Sequence, residues 1–302
     1  MAYKSILVHL DEDPRCAARV RTAAVLADAH GGHLTGVAMT GVSRFLYQDA
    51  LMEPDDPNLA LHLGFLRERA SLALSAFDQQ VAALRLRSYE RRVVDDEAGG
   101  GISQLARYAD LVVIGQIDPE RPSRSVMSDF PAYVVLHSGR PVWIVPYAIT
   151  SAPSTSAATS STEPVGARPP DNILIAWNGS KEASRAISAA LPLLQQARQV
   201  RIAIIDAEQN GHTHGEQPGA PLTAYLARHG VRAEAVLRQS GRHSAFRRSG
   251  HSGEALLALA HDLQADLLVM GAYGHSRVRE TIMGGATRTI LESMTLPVLM
   301  MH

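Results

Sequence analysis

The chain has 302 residues, 46% of them hydrophobic, with 29 basic against 30 acidic side chains and a net charge of −1. That length suits two domains of ordinary size with real cores, and the charge balance excludes a broad attraction to nucleic acid or an anionic membrane. A single cysteine, Cys16, excludes an intramolecular disulfide and fits a reducing cytosol; the first residues, with one short apolar run before acidic ones, resemble neither a signal peptide nor a membrane span.

Residues 6–10 (ILVHL) form a compact apolar run of strand length that ends at Asp11. Cys16, Ala17, Val20, Ala23, Ala24 and Ala27 recur at helical spacing over 15–30, so Cys16 is expected on a buried face. Residues 34–39 predict a second strand. Residues 40–60, with Pro54, Asp55, Asp56 and Pro57, predict an irregular loop. A helical pattern then runs over about 60–86 and is expected to be a surface helix packed on a sheet. A third strand is expected at 91–95, a short helix at 102–108, a strand at 111–114 ending in Gly115, and a last strand at 141–145. Residues 150–170 are rich in Ser, Thr, Pro and Ala and predict a flexible linker. Two domains follow, 1–148 and 171–302, with 149–170 between them.

The pattern repeats. Residues 173–177 (ILIAW) match 6–10, so Ile6 and Ile173 stand 167 apart and Asn178 falls opposite Asp11. Residues 265–271 (ADLLVMG) match 109–115 (ADLVVIG), so Gly115 and Gly271 stand 156 apart, as do Val142 and Val298. The offset falls by 11, which puts the extra residues of the first repeat in its 40–60 loop. Strands alternate with helices, and the strands are near-continuously apolar. This argues a doubly wound α/β fold: two tandem domains, each a mostly parallel five-stranded sheet with helices on both faces. Ligands of such sheets sit beyond the carboxyl ends of the strands. Asp11, Gly115, Asn178 and Gly271 all occupy strand ends.

The stretch 266–302 carries the sharpest signal. An apolar strand, 267–270, ends at Gly271. Gly274 follows, then a polar stretch 275–280, then Gly284-Gly285. Ala286, Ile290, Leu291 and Met294 keep helical spacing until Pro297, and 298–301 predicts another buried strand. Glycines at a strand end let a backbone approach a ligand, and the free N–H groups of a helix start favour an anion such as phosphate. The spacing Gly271-x2-Gly274-x9-Gly284 resembles the ATP-binding signature of the universal stress protein family, with Gly285 where the family holds Ser or Thr and Thr287 two residues on.

The resemblance covers both repeats. It implies the adenine nucleotide α-hydrolase-like fold and sheets that pair through their last strands, which a tandem chain could do internally as a pseudo-dimer, with a homodimer beyond that. It implies an adenine nucleotide in the second repeat: ATP first, with or without Mg, and AMP or cyclic AMP as alternatives. Gly271, Gly274, Gly284, Gly285 and Ala286 would cradle phosphates, with Thr287 offering a hydroxyl and His275, Arg277 and Arg279 adding charge. Asn178 would meet the nucleoside, and the adenine would sit near Asp206. The expected protein is cytoplasmic and acts in stress response or signalling, with the nucleotide as signal or stabiliser. The alternative is a scaffold or chaperone-like interaction protein on the same fold. No catalytic motif is present; without a G-x4-G-K-[ST] loop, any ATP hydrolysis would be slow.

The first repeat differs. The 156 offset turns Gly274 into Asp118, Gly284 into Ser128, Gly285 into Asp129, Ala286 into Phe130 and Thr287 into Pro131. Two carboxylates would repel a polyanion, Pro131 removes a backbone donor, and Phe130 adds bulk. This loop is expected not to bind phosphate. Plainer readings stand beside the sharp ones: a tight turn and helix start for the glycines of the second loop, an N-cap for Asp11, and a turn and cap for Asn178-Gly179-Ser180. His212 and His214 fall in a Gly/Pro-rich stretch without a third ligand and are expected to be a solvated loop. His243 and His251 bracket a basic segment expected to be an insertion. No metal site is expected.

Overall fold

The computed structural model describes residues 2–41, 57–121, 126–147, 166–207, 217–240, 248–274 and 285–302. Residues 42–56 of the expected 40–60 loop, most of the linker, and His212, His214, His243 and the His251 side chain lie outside them; residues 57–60, expected in that loop, are helical. Each repeat contributes five strands. In the first they are β1 (Ser5–Leu10), β2 (His33–Met39), β3 (Tyr89–Val94), β4 (Leu111–Gly115) and β5 (Val142–Val145). In the second they are β6 (Asn172–Ala176), β7 (Gln199–Ile205), β8 (Ala233–Arg238), β9 (Leu267–Gly271) and β10 (Val298–Met301). The helices of the first repeat are α1 (Cys16–His30), α2 (Pro57–Ala83), α3 (Ala98–Leu105) and α4 (Phe130–His137). Those of the second are α5 (Lys181–Leu194), α6 (Ala220–Arg228), α7 (Arg248–Asp262) and α8 (Gly285–Ser293).

By contacts the chain forms two compact units. The N-terminal unit holds Ala2–Arg140 and Tyr147–Pro169; the C-terminal unit holds Pro141–Pro146 and Pro170–His302. In the N-terminal unit β1 pairs in parallel with β2 and β4, and β2 with β3. In the C-terminal unit β6 pairs in parallel with β7 and β9, β7 with β8, and β9 with β10. There β5, the last strand of the first repeat, pairs antiparallel with β10 through Val142 and Met300. In both units the chain leaves the central strand, β1 or β6, to opposite sides. Such a reversal of strand order opens a crevice beyond the strand ends.

The internal offsets appear as shared geometry. The start of β4 is tied to the start of β1 by Asp110, which accepts from the backbone N–H groups of Lys4 (2.7 Å) and Ser5 (2.9 Å). Asp266, 156 residues later, accepts from the N–H groups of Asp171 (3.0 Å) and Asn172 (2.9 Å). The central strands are buried on both faces: Ile6, Val8, Leu111, Val113, Ile173, Ile175, Leu267 and Val269 are fully enclosed. That double burial explains the unbroken apolar runs.

Two helices depart from the sequence expectation. The short helix expected at 102–108 begins at Ala98 and ends as a 3-10 turn, Ala106–Tyr108. Three glycines in its first turns disfavour a helix, but Glu97 caps it by accepting from the N–H groups of Gly99 and Gly100. Packing also needs small residues there, since a Cβ on Gly101 would lie 2.7 Å from Met39 Sδ. Phe130 and Pro131, expected in a loop, open α4 instead. Pro131 falls in its first turn, where no intrahelical N–H bond is lost. Cys16 is buried, as are Met294 and Met300.

Candidate functional site

In the N-terminal unit the crevice beyond β1 and β4 is occupied by charged side chains of the chain itself. The apolar stripe of α1 is interrupted by Arg19, which is buried and reaches back over the end of β1. Its Nε donates to the His9 carbonyl at 2.7 Å and its Nη2 to Asp11 Oδ1 at 2.7 Å. Burial works against the charge, but Asp11 outweighs it and holds the Arg19 pKa above its ordinary value. Arg15 bonds Asp13 and, at 2.6 Å, Asp118 on the loop after β4. Burial pushes the Asp13 carboxyl up, yet the hydrogen bonds from Arg15 hold it below the usual range. Asp11 is therefore not the N-cap considered from sequence. Arg15 holds the N-cap position of α1 with no side-chain cap bond, and Asp11 is spent on the Arg19 ion pair.

A small pocket remains there, lined by His9, Asp11, Arg19, Gln116, Arg121 and Phe130 among others. The ring of Phe130 lies 4.9 Å from that of His9. His9 Nδ1 is buried without a hydrogen-bond partner, 3.8 Å from Asp11 Oδ2. Burial lowers the His9 pKa to about 4; Asp11 opposes the shift and Arg19 adds to it.

The C-terminal unit builds the same place differently. β6 ends at Ala176 and Asn178 is exposed just past it. Asn178 Oδ1 accepts from the Ser180 N–H at 3.1 Å, and Ser180 Oγ caps α5 by accepting from the Ala183 N–H at 3.1 Å. The turn-and-cap reading of this stretch is thus present in the structure, with Ser180 as the cap. Gly271 closes β9 against the start of α5: a Cβ there would lie 2.3 Å from the Ala183 backbone nitrogen. No other residue fits without moving the helix. Tyr273 takes a left-handed φ of 58°, and its N–H meets Thr287 Oγ1 at 3.3 Å. This contact sets the first turn of α8 against the end of β9. Thr287 is buried, while Gly285 and Ala286 are partly exposed. The first turns of α5 and α8 thus stand at the end of β9 with the Gly271–Gly274 turn.

Asp206 follows β7 with φ 53°. Its carboxylate accepts from the Ser240 N–H at 2.8 Å and from Ser240 Oγ at 2.5 Å, tying the end of β7 to the segment after β8. His275, Arg277, Arg279 and Gly284 lie outside the described residues. Of the expected site, the structure brings together Gly271, Gly274, Gly285, Ala286 and Thr287, with Asn178 on the neighbouring strand end. Asp206 stands on the next strand out.

Glu182 escaped the sequence reading. It sits in the first turn of α5, its side chain is 2% exposed, and its Oε2 has no hydrogen-bond partner. A Cβ on Gly274 would lie 2.8 Å from that oxygen. A signal was available: the 167 offset places Glu182 on Arg15, and the 156 offset places Gly274 on Asp118. Applied together, they show a charge pair replaced by a carboxylate and a glycine.

The model of the universal stress protein family matches residues 2–146 and 170–302. A universal stress protein of Synechocystis is 44% identical over 50 residues, which span 17% of this chain and 17% of that protein. A solved universal stress protein from Archaeoglobus fulgidus covers 98% of this chain and 97% of its own, with TM-score 0.64 and 13% identity. A putative universal stress protein from Pseudomonas aeruginosa covers 99% and 93%, with TM-score 0.55 and 15% identity. At those identities the two solved structures speak to the fold alone. No helix among the described residues is long and apolar enough to cross a membrane.

Proposed function

The chain belongs to the universal stress protein family, and on that premise we propose that it binds one adenine nucleotide, ATP first among them, at the switch point of the C-terminal unit. The nucleotide acts there as a signal or stabiliser in a stress response in the cytoplasm. The observation that carries this reading is the contrast at one position. In the N-terminal unit the loop after β4 presents Asp118, locked to Arg15. In the C-terminal unit the corresponding turn presents Gly274 and no side chain. Backbone N–H groups of a Gly-rich turn and of helix first turns are the groups that hold phosphate. Thr287 contributes a hydroxyl and Asn178 one carbonyl acceptor. The Asn178 oxygen that accepts from Ser180 keeps a second lone pair for a nucleoside hydroxyl. The adenine lies towards Asp206 and Ala207, with His275, Arg277 and Gly284 completing the loop.

The test is a calorimetric titration of ATP into the wild type and into G274D. Asp at 274 sets a second carboxylate beside Glu182 and Ser180. Binding by the wild type and its loss in G274D supports the placement. Unchanged affinity in G274D contradicts it.

The second reading is an interaction scaffold. Leu61, Phe65 and Leu72 stand exposed on one face of α2, at 76%, 58% and 65%, which is more apolar surface than a solvated helix needs. It expects no nucleotide bound at any accessible ATP concentration and a phenotype that follows a protein partner.

A further inference from the structure

Glu182 has no role in the nucleotide reading as given, and its setting is unusual. Lys181 Nζ stands 3.5 Å from Oε1, but that lysine side chain is 75% exposed. Oε2 is buried, accepts no hydrogen bond, and lies beside Gly274 and Ser180. A carboxylate can only accept, and burying one without a partner is costly. The dipole of α5 favours an acidic residue in its first turn. That accounts for the residue type but not for an oxygen turned away from water.

The N-terminal repeat shows what completes such a place. There Arg15, at the N-cap of α1, and Asp118, on the loop, make an ion pair at 2.6 Å. Both charges come from the chain. At the matching positions of the C-terminal repeat the helix supplies an anion, Glu182, and the loop supplies nothing, Gly274. The charge lacking at Oε2 is a cation, and Gly274 sets no side chain beside it.

We propose that Glu182 anchors a divalent cation of the magnesium class, bridging its Oε2 to the phosphates of the nucleotide. The assignment rests on the nucleotide reading above. Magnesium keeps several waters and is held by one or two carboxylates together with substrate phosphates, not by a protein cage. The described residues contain no cluster of three or more His, Cys, Asp or Glu side chains that could hold a metal, and a site of this kind needs none. Without the cation Glu182 repels the phosphates; with it the same carboxylate becomes their tether. Nucleotide binding is therefore coupled to the metal.

The experiment compares the full-length wild type with E182Q and E182D. ATP is titrated in excess magnesium and in EDTA, and manganese alone is titrated with detection by electron paramagnetic resonance. The wild type is expected to bind ATP about tenfold or more tightly with magnesium than without it. In E182Q, with an amide of the same shape, the two affinities converge because binding in EDTA improves. E182D keeps the magnesium dependence. Equal binding in both media by the wild type, or full magnesium dependence in E182Q, overturns the assignment and leaves the nucleotide reading intact. No ATP binding in either medium overturns the nucleotide reading. The cation site then stands only if manganese alone binds the wild type and not E182Q, and otherwise falls. Melting curves establish that the variants fold. If E182Q does not, the wild-type manganese titration decides, and the absence of saturable binding overturns the site.

Discussion

At the end of β4, the Cβ that Gly115 lacks would lie 2.5 Å from Arg19 Nη1; at the end of β9, the Cβ that Gly271 lacks would lie 2.3 Å from the Ala183 backbone. The two glycines hold equivalent places and serve different neighbours. In the first repeat the strand end is crowded by a buried side chain that brings its own counterion. In the second it is crowded by the backbone of a helix start, and the turn that follows presents Gly274 in place of Asp118. One fold can thus keep its switch point and surround it with different side chains. The difference lies in a handful of side chains at Arg15, Arg19, Asp118 and Phe130.

The comparison can be broken most severely at Arg19. Arg19→Ala strands Asp11 in a buried setting and is expected to cost about 3–5 kcal/mol of N-terminal unit stability, read by denaturant unfolding. Arg19→Met with Asp11→Leu removes both charges and should cost markedly less. Equal losses would show that the pair is not a buried unit.

Acid attacks the same place. His9 titrates at about 4 when folded, against 6.5 when free. Between those values the unfolded chain binds more protons, so stability rises with pH across the window. It is fully present above 6.5 and lost as pH falls towards 4, on the order of 3 kcal/mol in all. Asp11 and Arg19 are the charges that face the ring. Replacement by Gln should flatten the profile of the N-terminal unit over that window; an unchanged profile would assign the acid sensitivity elsewhere.

Gly271→Ala pushes against backbone and is expected to cost about 1–3 kcal/mol and to abolish ATP binding. Gly115→Ala meets the end of a side chain and should leave ATP binding untouched. Thermal melts and titrations of the two variants sharpen the contrast. A binding loss in G115A would contradict the division of labour. Smallest is Ser180→Ala, which removes the cap of α5 and is expected to cost about 1 kcal/mol, with ATP affinity reduced only as far as the turn loosens.

Most of the architecture was legible as pattern. Strands buried on both faces announce themselves as apolar runs, and the offsets of 167 and 156 align β1 with β6 and β4 with β9. The helix start at Gly285 was legible from its spacing. Local propensity misled at two places where packing decides. Residues 99–101 are helical under the Glu97 cap and are glycines because larger side chains at 99 and 101 would strike Tyr133 and Met39, and Pro131 marks a helix start, not a loop. The crevice contents were less legible. Arg15 and Asp118 are 103 residues apart, and Arg19, one of two arginines in an alanine-rich helix, gives no hint that it folds back on Asp11. The role of Glu182 shows only when its burial is known, since an acidic residue in a first helical turn is ordinary on the surface.

The central claim is one nucleotide per chain, held by the C-terminal repeat alone. Native mass spectrometry of the freshly purified protein, with the nucleotide in an acid extract identified alongside, tests it most directly. One adenine nucleotide per chain, lost in G274D, is the result expected. Two per chain would contradict a first repeat filled by its own ion pairs, and none, with no uptake of added Mg-ATP, would contradict nucleotide binding by the second.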